Sequence, residues 1–164
     1  MITQGDKMTN NELKRGSVIR AEGTMMGTIP FYHYGIYAGE KTVIYYRDGQ
    51  IRQESIKKFV EDSSTIDVMD FKSKYKNKYT LGMSFERASR HVGIAGYEGY
   101  DVLSNNCEHF ALWCRTGKAV SSQACGYESA HGYANSLPSI ARLIGFFTNN
   151  VGMKKSRSIS MRDL

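Results

Sequence analysis

Cysteine and histidine are the residues of this 164-residue chain best suited to nucleophilic chemistry, and their positions narrow the choice to one thiol. Helix-start signals converge at Cys107. Asn105 can cap, Glu108 follows three residues later as in a capping box, and Gly117 supplies a stop after Arg115. Within the predicted helix Cys107, Phe110, Ala111 and Cys114 recur at helical spacing, which puts the thiol in the first turn and on the inward face. A thiol there meets the positive end of the helix dipole and unpaired backbone N–H groups, both of which favour thiolate. The same N–H groups are suited to hold an oxyanion on a tetrahedral intermediate.

Such a nucleophile needs a base, and the chain has four histidines. His109 lies two residues along the same helix, about 200° around the axis, and cannot easily reach the sulfur. His91 falls on the predicted helix after Ser84, and His131 in a loop containing Gly and Ser. His33 alone occupies a strand position alternating with apolar neighbours, where a rigid sheet can present its imidazole to the head of the Cys107 helix.

The elements that must position these groups are legible in part. Ser17 to Arg20 reads as a short strand and Glu22 to Pro30, with two glycines, as a loop. Tyr32 to Ala38 and Thr42 to Tyr46 form a hairpin about Gly39-Glu40-Lys41, and a second tight turn at Asp48-Gly49 leads into Ile51. A short helix is predicted over Glu54 to Glu61, with Ile56, Phe59 and Val60 on one face, and another strand over Thr65 to Phe71. The expected sheet is antiparallel, with four to six strands. Ser84 caps a helix carrying Phe85, Ala88 and Val92 and stopped by Gly93; Ile140 to Phe147 is a last helical signal, read as a core helix rather than a membrane-surface patch.

One compact domain suits this length, and 41% hydrophobic residues suffice for a core. No secretory signal and no span-length apolar run is present, and the cysteine count of three is odd, so the expectation is a cytoplasmic protein with reduced thiols. The organisation expected is a polar leader over 1–12, a domain over 13–148 and a flexible basic tail over 149–164. Lys72, Lys74, Lys76 and Lys78, with Lys154, Lys155, Arg157 and Arg162 of the tail, account for more than the whole net charge of +6. They read as a solvated loop and tail, with anionic membrane headgroups or nucleic acid as the partners such charge would attract.

His33-Tyr34-Gly35-Ile36-Tyr37-Ala38-Gly39, followed by Val43-Ile44-Tyr45-Tyr46, resembles the H-box of the lecithin retinol acyltransferase family, and Asn106-Cys107-Glu108-His109-Phe110-Ala111 resembles its NCEHF box. The likeness runs from about Leu13 to Gln123. It implies an α+β, circularly permuted papain-like fold, with an antiparallel sheet packed against helices and the histidine strand preceding the cysteine helix. It also implies acyl transfer from phospholipid esters through a Cys107 thioester, with His33 as base, the Cys107 N–H on the oxyanion and no metal or cofactor. The family's second histidine, twelve residues after the first, is Tyr45 here, whose phenol can accept a hydrogen bond from an imidazole N–H. Cellular members of the family often end in a hydrophobic anchor, where this chain has a short apolar helix and a basic tail; the expectation is reversible, peripheral membrane contact through that helix and Lys154 onward.

Two rival readings come from the same residues. Cys107, His109, Cys114, Cys125 and His131 crowd together, but their spacing fits no paired zinc knuckle. A non-enzymatic H-box/NC module that binds a host protein, a membrane surface or RNA would tolerate the missing histidine, and Tyr75 and Tyr79 among the lysines could stack on single-stranded nucleic acid.

Overall fold

The structure, a computed structural model, describes residues 12–25, 29–94, 107–118 and 152–164. Its elements are β1 (Val18–Met25), β2 (Ile29–Gly39), β3 (Thr42–Arg47), β4 (Gln50–Ser55), α1 (Ile56–Val60), β5 (Thr65–Asp70), α2 (Ser73–Lys78), α3 (Leu81–Arg90), α4 (Cys107–Thr116) and β6 (Lys154–Ser160), the last followed by a single 3₁₀ turn. The fold is α+β. Six antiparallel strands in the order β4-β3-β2-β1-β5-β6 form one sheet with helices packed on it.

Both faces of the sheet are covered, and strand alternation sorts the core between them. Val18, Tyr34, Ile36, Ile44 and Tyr46 pack with Ala88 of α3 and Cys107, Phe110, Ala111 and Cys114 of α4. Ile19, Ala21, Tyr37, Val43 and Tyr45 pack on the other face with Ile56, Phe59 and Val60 of α1. This is why Val43 to Tyr46 is buried without a break: each strand face has its own layer to meet.

Local chemistry accounts for the joints. Glu40 and Lys41 (φ 49° and 57°) and Asp48 and Gly49 (φ 50° and 77°) make two-residue turns with positive φ, the backbone twist that antiparallel hairpins favour. The Ser55 side chain caps α1 by accepting from the Lys58 N–H, and the Thr80 side chain caps α3 by accepting from the Met83 N–H. Gly117 ends α4 at φ +75°, where a Cβ would also stand 2.7 Å from the Tyr79 hydroxyl. The buried Arg115 guanidinium donates to the carbonyls of Tyr75 and Tyr79, tying α4 to α2.

Several sequence-based expectations are corrected here. Glu22 to Met25 continues β1 instead of forming a loop, because all of β1 pairs with residues Ile29 to Ile36 of β2. The short helix begins at Ile56, since Glu54 and Ser55 still pair with β3. Thr80, not Ser84, caps α3; Ser84 lies buried inside it. The lysine-rich stretch expected as a loop forms α2, anchored by the buried Tyr75.

The basic tail, expected to be flexible, contains β6. Its residues pair with β5, and Asp67 fastens it: Ser158 Oγ donates to Asp67 Oδ1 at 2.5 Å, while Arg20 Nε of β1 stands 3.0 Å from Oδ2. Asp70 faces Lys154 across the strands, so opposite charges meet where the sequence shows only an excess of one sign. The signals over Gly96 to Asn105 and Ile140 to Phe147 lie outside the described residues. Among the described residues no helix is long and apolar enough to cross a membrane.

Candidate active site

Cys107 is the first residue of α4, within the first turn as expected; the capping residue proposed for it, Asn105, lies outside the described residues. Its sulfur comes to rest against β2, and the backbone of β2 explains how. The Tyr37 N–H donates to Ser17 O and Tyr37 O accepts from the Gly16 N–H, so Tyr37, Gly35 and His33 turn their backbone polar groups toward β1. Tyr32, Tyr34 and Ile36 therefore turn theirs toward β3. The β2–β3 ladder has partners only from Ile36 to Gly39, which leaves Tyr32 and Tyr34 beyond its end. The Cys107 S–H donates to Tyr32 O at 3.7 Å, and the sulfur accepts from the Tyr34 N–H. The thiol thus takes the place of a β3 partner, bracketing the peptide of His33.

His33 projects from that peptide to the α1 face. Its ring lies edge-on to Phe59 with centroids 6.4 Å apart, and Nε2 is 3.9 Å from Glu61 Oε2. Sulfur and imidazole therefore belong to one point on the strand, the sulfur at the open edge and the ring on the α1 side. Phe59 lies over Gly35, where a Cβ would come within 3.1 Å of Phe59 Cε2 and 2.5 Å of Val43 Cγ1. A side chain at position 35 would push away the ring against which His33 rests.

Tyr45 shares this face and meets Phe59 edge-on at 5.1 Å. Its hydroxyl, expected to orient His33, donates to Glu54 Oε2 and accepts from Arg47. Arg47 Nη2 in turn stands 2.7 Å from Glu61 Oε1. The polar link from Tyr45 toward His33 thus runs through Arg47 and Glu61, while both rings also rest on Phe59.

Burial outweighs the helix dipole at the sulfur. The thiol is 5% exposed, and burial with the nearby Glu108 pushes its pKa up to about 12, against the lowering effect of the N–H groups of Tyr34, Glu108 and Cys107 itself. The resting group is a thiol, not the thiolate expected from helix position. Burial also pushes His33 down from its ordinary value, with Glu61 opposing and Arg47 adding to the shift. Burial thus favours the neutral form of both groups.

The other histidines fall elsewhere. His91 caps the C-terminus of α3, with Nδ1 2.7 Å from Arg87 O and its ring edge-on to Trp113, and so belongs to the packing of α3 on α4. His109 is buried on α4. His131 and Cys125 lie outside the described residues, and among those described no group of three or more His, Cys, Asp or Glu side chains is gathered as a metal-binding set. Glu61 and Arg47 were missed by sequence reading. Glu61 appears there only as the end of a predicted helix, although a charged residue that terminates a helix with no glycine after it is a faint sign of a constrained turn.

Fold and site together define an α+β domain in which a cysteine at a helix head lies on the strand that carries a histidine. The lecithin retinol acyltransferase family model matches residues 11–120, and this chain belongs to that family. It is 25% identical to the lecithin retinol acyltransferase of Mus musculus over 154 residues, covering 75% of this chain and 65% of that protein. It is 26% identical to that of Bos taurus over 149 residues, covering 73% of this chain and 64% of the bovine one. The chain thus spans just under two-thirds of the length of these relatives.

Proposed function

We propose that this protein is a cysteine-dependent acyltransferase or phospholipase-like thiol hydrolase acting on lipid esters. The observation that carries the reading is the seat of the Cys107 sulfur between Tyr32 O and the Tyr34 N–H, on the peptide of the strand residue that supplies the imidazole. In this reading His33 takes the thiol proton as sulfur attacks the ester carbonyl carbon. The C–S bond forms, the carbonyl electrons move to oxygen, and the Cys107 N–H at the head of α4 holds the oxyanion. Collapse breaks the acyl C–O bond, and the leaving alcohol takes the proton from the imidazolium. Water, an amine, an alcohol or a lysolipid then attacks the thioester, its proton passing through His33 to the departing sulfur.

A phospholipid is the proposed acyl donor, met at a membrane surface. The exposed lysines on and beside α2 support reversible attraction to anionic headgroups. Because burial favours the protonated thiol, the reading requires proton transfer to His33 to accompany attack on the ester.

The test is intact-protein mass spectrometry after incubation with phosphatidylcholine vesicles containing anionic lipid. An acyl adduct on Cys107, absent in Cys107→Ser and in His33→Ala, is expected. The buried, protonated thiol is also what a non-enzymatic H-box/NC module would carry. No adduct with any of several phospholipids, together with salt-sensitive binding to RNA or to anionic vesicles, would establish that second reading.

A further inference from the structure

The imidazole of His33 needs a partner that fixes its ring and its tautomer, and the position where the H-box pattern places a second histidine holds Tyr45, with its hydroxyl committed to Glu54. We propose that Glu61 is the positioning residue for His33, held in place by a chain of contacts running from Glu54 through Tyr45 and Arg47. This inference rests on the acyl-transfer reading and adds to it the group that orients the base.

Three observations converge on Glu61. The first is distance: Oε2 lies 3.9 Å from His33 Nε2, while Oε1 is fixed by Arg47 Nη2 at 2.7 Å, so one carboxylate bridges cation and imidazole. The second is which nitrogen it faces. With Nε2 toward Glu61, Nδ1 is the ring nitrogen left for the thiol, whose sulfur sits on the backbone flanking the same residue. A carboxylate on the Nε2 side, acting by charge at 3.9 Å and within reach of a hydrogen bond on a small movement, favours the proton on that nitrogen and the lone pair on Nδ1, which is the state a base requires. The third is the backbone. Glu61 has φ 53° and ψ −111°, a left-handed conformation that a residue with a Cβ adopts only at a cost of about 1–3 kcal/mol. Glycine would hold this turn without strain, yet a glutamate occupies it.

Among the described residues the charged groups facing the imidazole are Glu61 from the end of α1 and Arg47 from β3; α1 otherwise presents Phe59, and β1 presents Ala21 opposite. The burial that drives His33 toward the neutral form, with Glu61 working against it, agrees with the geometry.

The experiment combines imidazole titration by long-range proton–nitrogen NMR, with His33 assigned from a His33→Gln spectrum, and the rate of Cys107 acylation by phosphatidylcholine vesicles. In Glu61→Gln the His33 midpoint should fall, because a favourable charge is lost, and acylation should slow on the order of 10-fold or more. Glu61→Gly should show the same two effects with thermal stability kept or raised, since the turn is relieved of strain. Asp62→Asn removes the same charge one residue away and should leave both readouts unchanged. An unmoved His33 midpoint in Glu61→Gln, or an equal shift in Asp62→Asn, overturns the assignment while leaving acyl transfer standing. A wild-type protein that forms no adduct overturns the acyl-transfer reading itself.

Discussion

Tyr45 Oη donates to Glu54 Oε2 at 2.5 Å, and this bond between neighbouring strands decides what the tyrosine can do. A phenol so engaged has given its one donor to Glu54 and turns its oxygen to Arg47, instead of accepting from the imidazole as the sequence leads one to expect. Its route to His33 is mechanical: it steadies Arg47, which steadies Glu61. Tyr45→Phe should therefore cost about 1–2 kcal/mol in urea unfolding, as a buried hydroxyl bonded to a carboxylate does. It should slow Cys107 acylation less than Glu61→Gln. A larger kinetic effect than that of Glu61→Gln would show that the phenol acts on the imidazole directly.

Cys107 sets an alkaline limit on stability. Its folded pKa, about 12, exceeds the unfolded value near 9.0, so the folded state holds the thiol proton more tightly. That contribution is fully present below about pH 9 and is lost as pH rises toward 12. Urea midpoints measured from pH 8 upward should fall, and Cys107→Ala should flatten the decline. Alkylation of Cys107 by iodoacetamide at pH 7 should be slower in the folded protein than in urea by more than about 10-fold.

Gly35 makes room for Phe59, and through it for the His33 ring. Gly35→Ala places a Cβ 2.5 Å from Val43 Cγ1 and 3.2 Å from Ile44 O, neither of which can withdraw from the middle of the sheet. The expected loss is about 1–3 kcal/mol by chemical denaturation, the usual range for overpacking. A neutral effect would mean that the α1 layer is loosely seated.

Asp67 joins three strands through Arg20, Ser158 and Lys155. Asp67→Asn should weaken β6 more than the rest of the domain, at a cost of about 1–3 kcal/mol for charge-assisted bonds. Brief trypsin treatment should then cut after Lys154, Lys155 or Arg157 well before the remainder of the chain. Equal resistance in wild type and variant would show that side-chain pairing contributes little to β6.

Local signals carried the reading of this protein wherever a single segment contains its own instructions. Cys107 stands in the first turn of α4, where Asn105, Glu108 and the Gly117 stop lead one to expect it, and the hairpins follow from turn residues between apolar runs. The two boxes with Cys107 and His33 point to the family whose model matches the chain. Tertiary structure decided what depends on neighbours distant along the chain. Helix position alone argues for a thiolate at Cys107, but the sheet buries it, and in this enclosure desolvation outweighs the backbone N–H groups. Lys154–Ser160 reads as a solvated tail because its charge excess is visible and the facing Asp67 and Asp70, some 85 to 90 residues earlier, are not. Glu61 carries no motif at all. Its role appears only when the end of α1 meets the ends of β2 and β3, because electrostatic partnership is set by distance in space, and spacing along a chain reports that distance only within a turn or a hairpin.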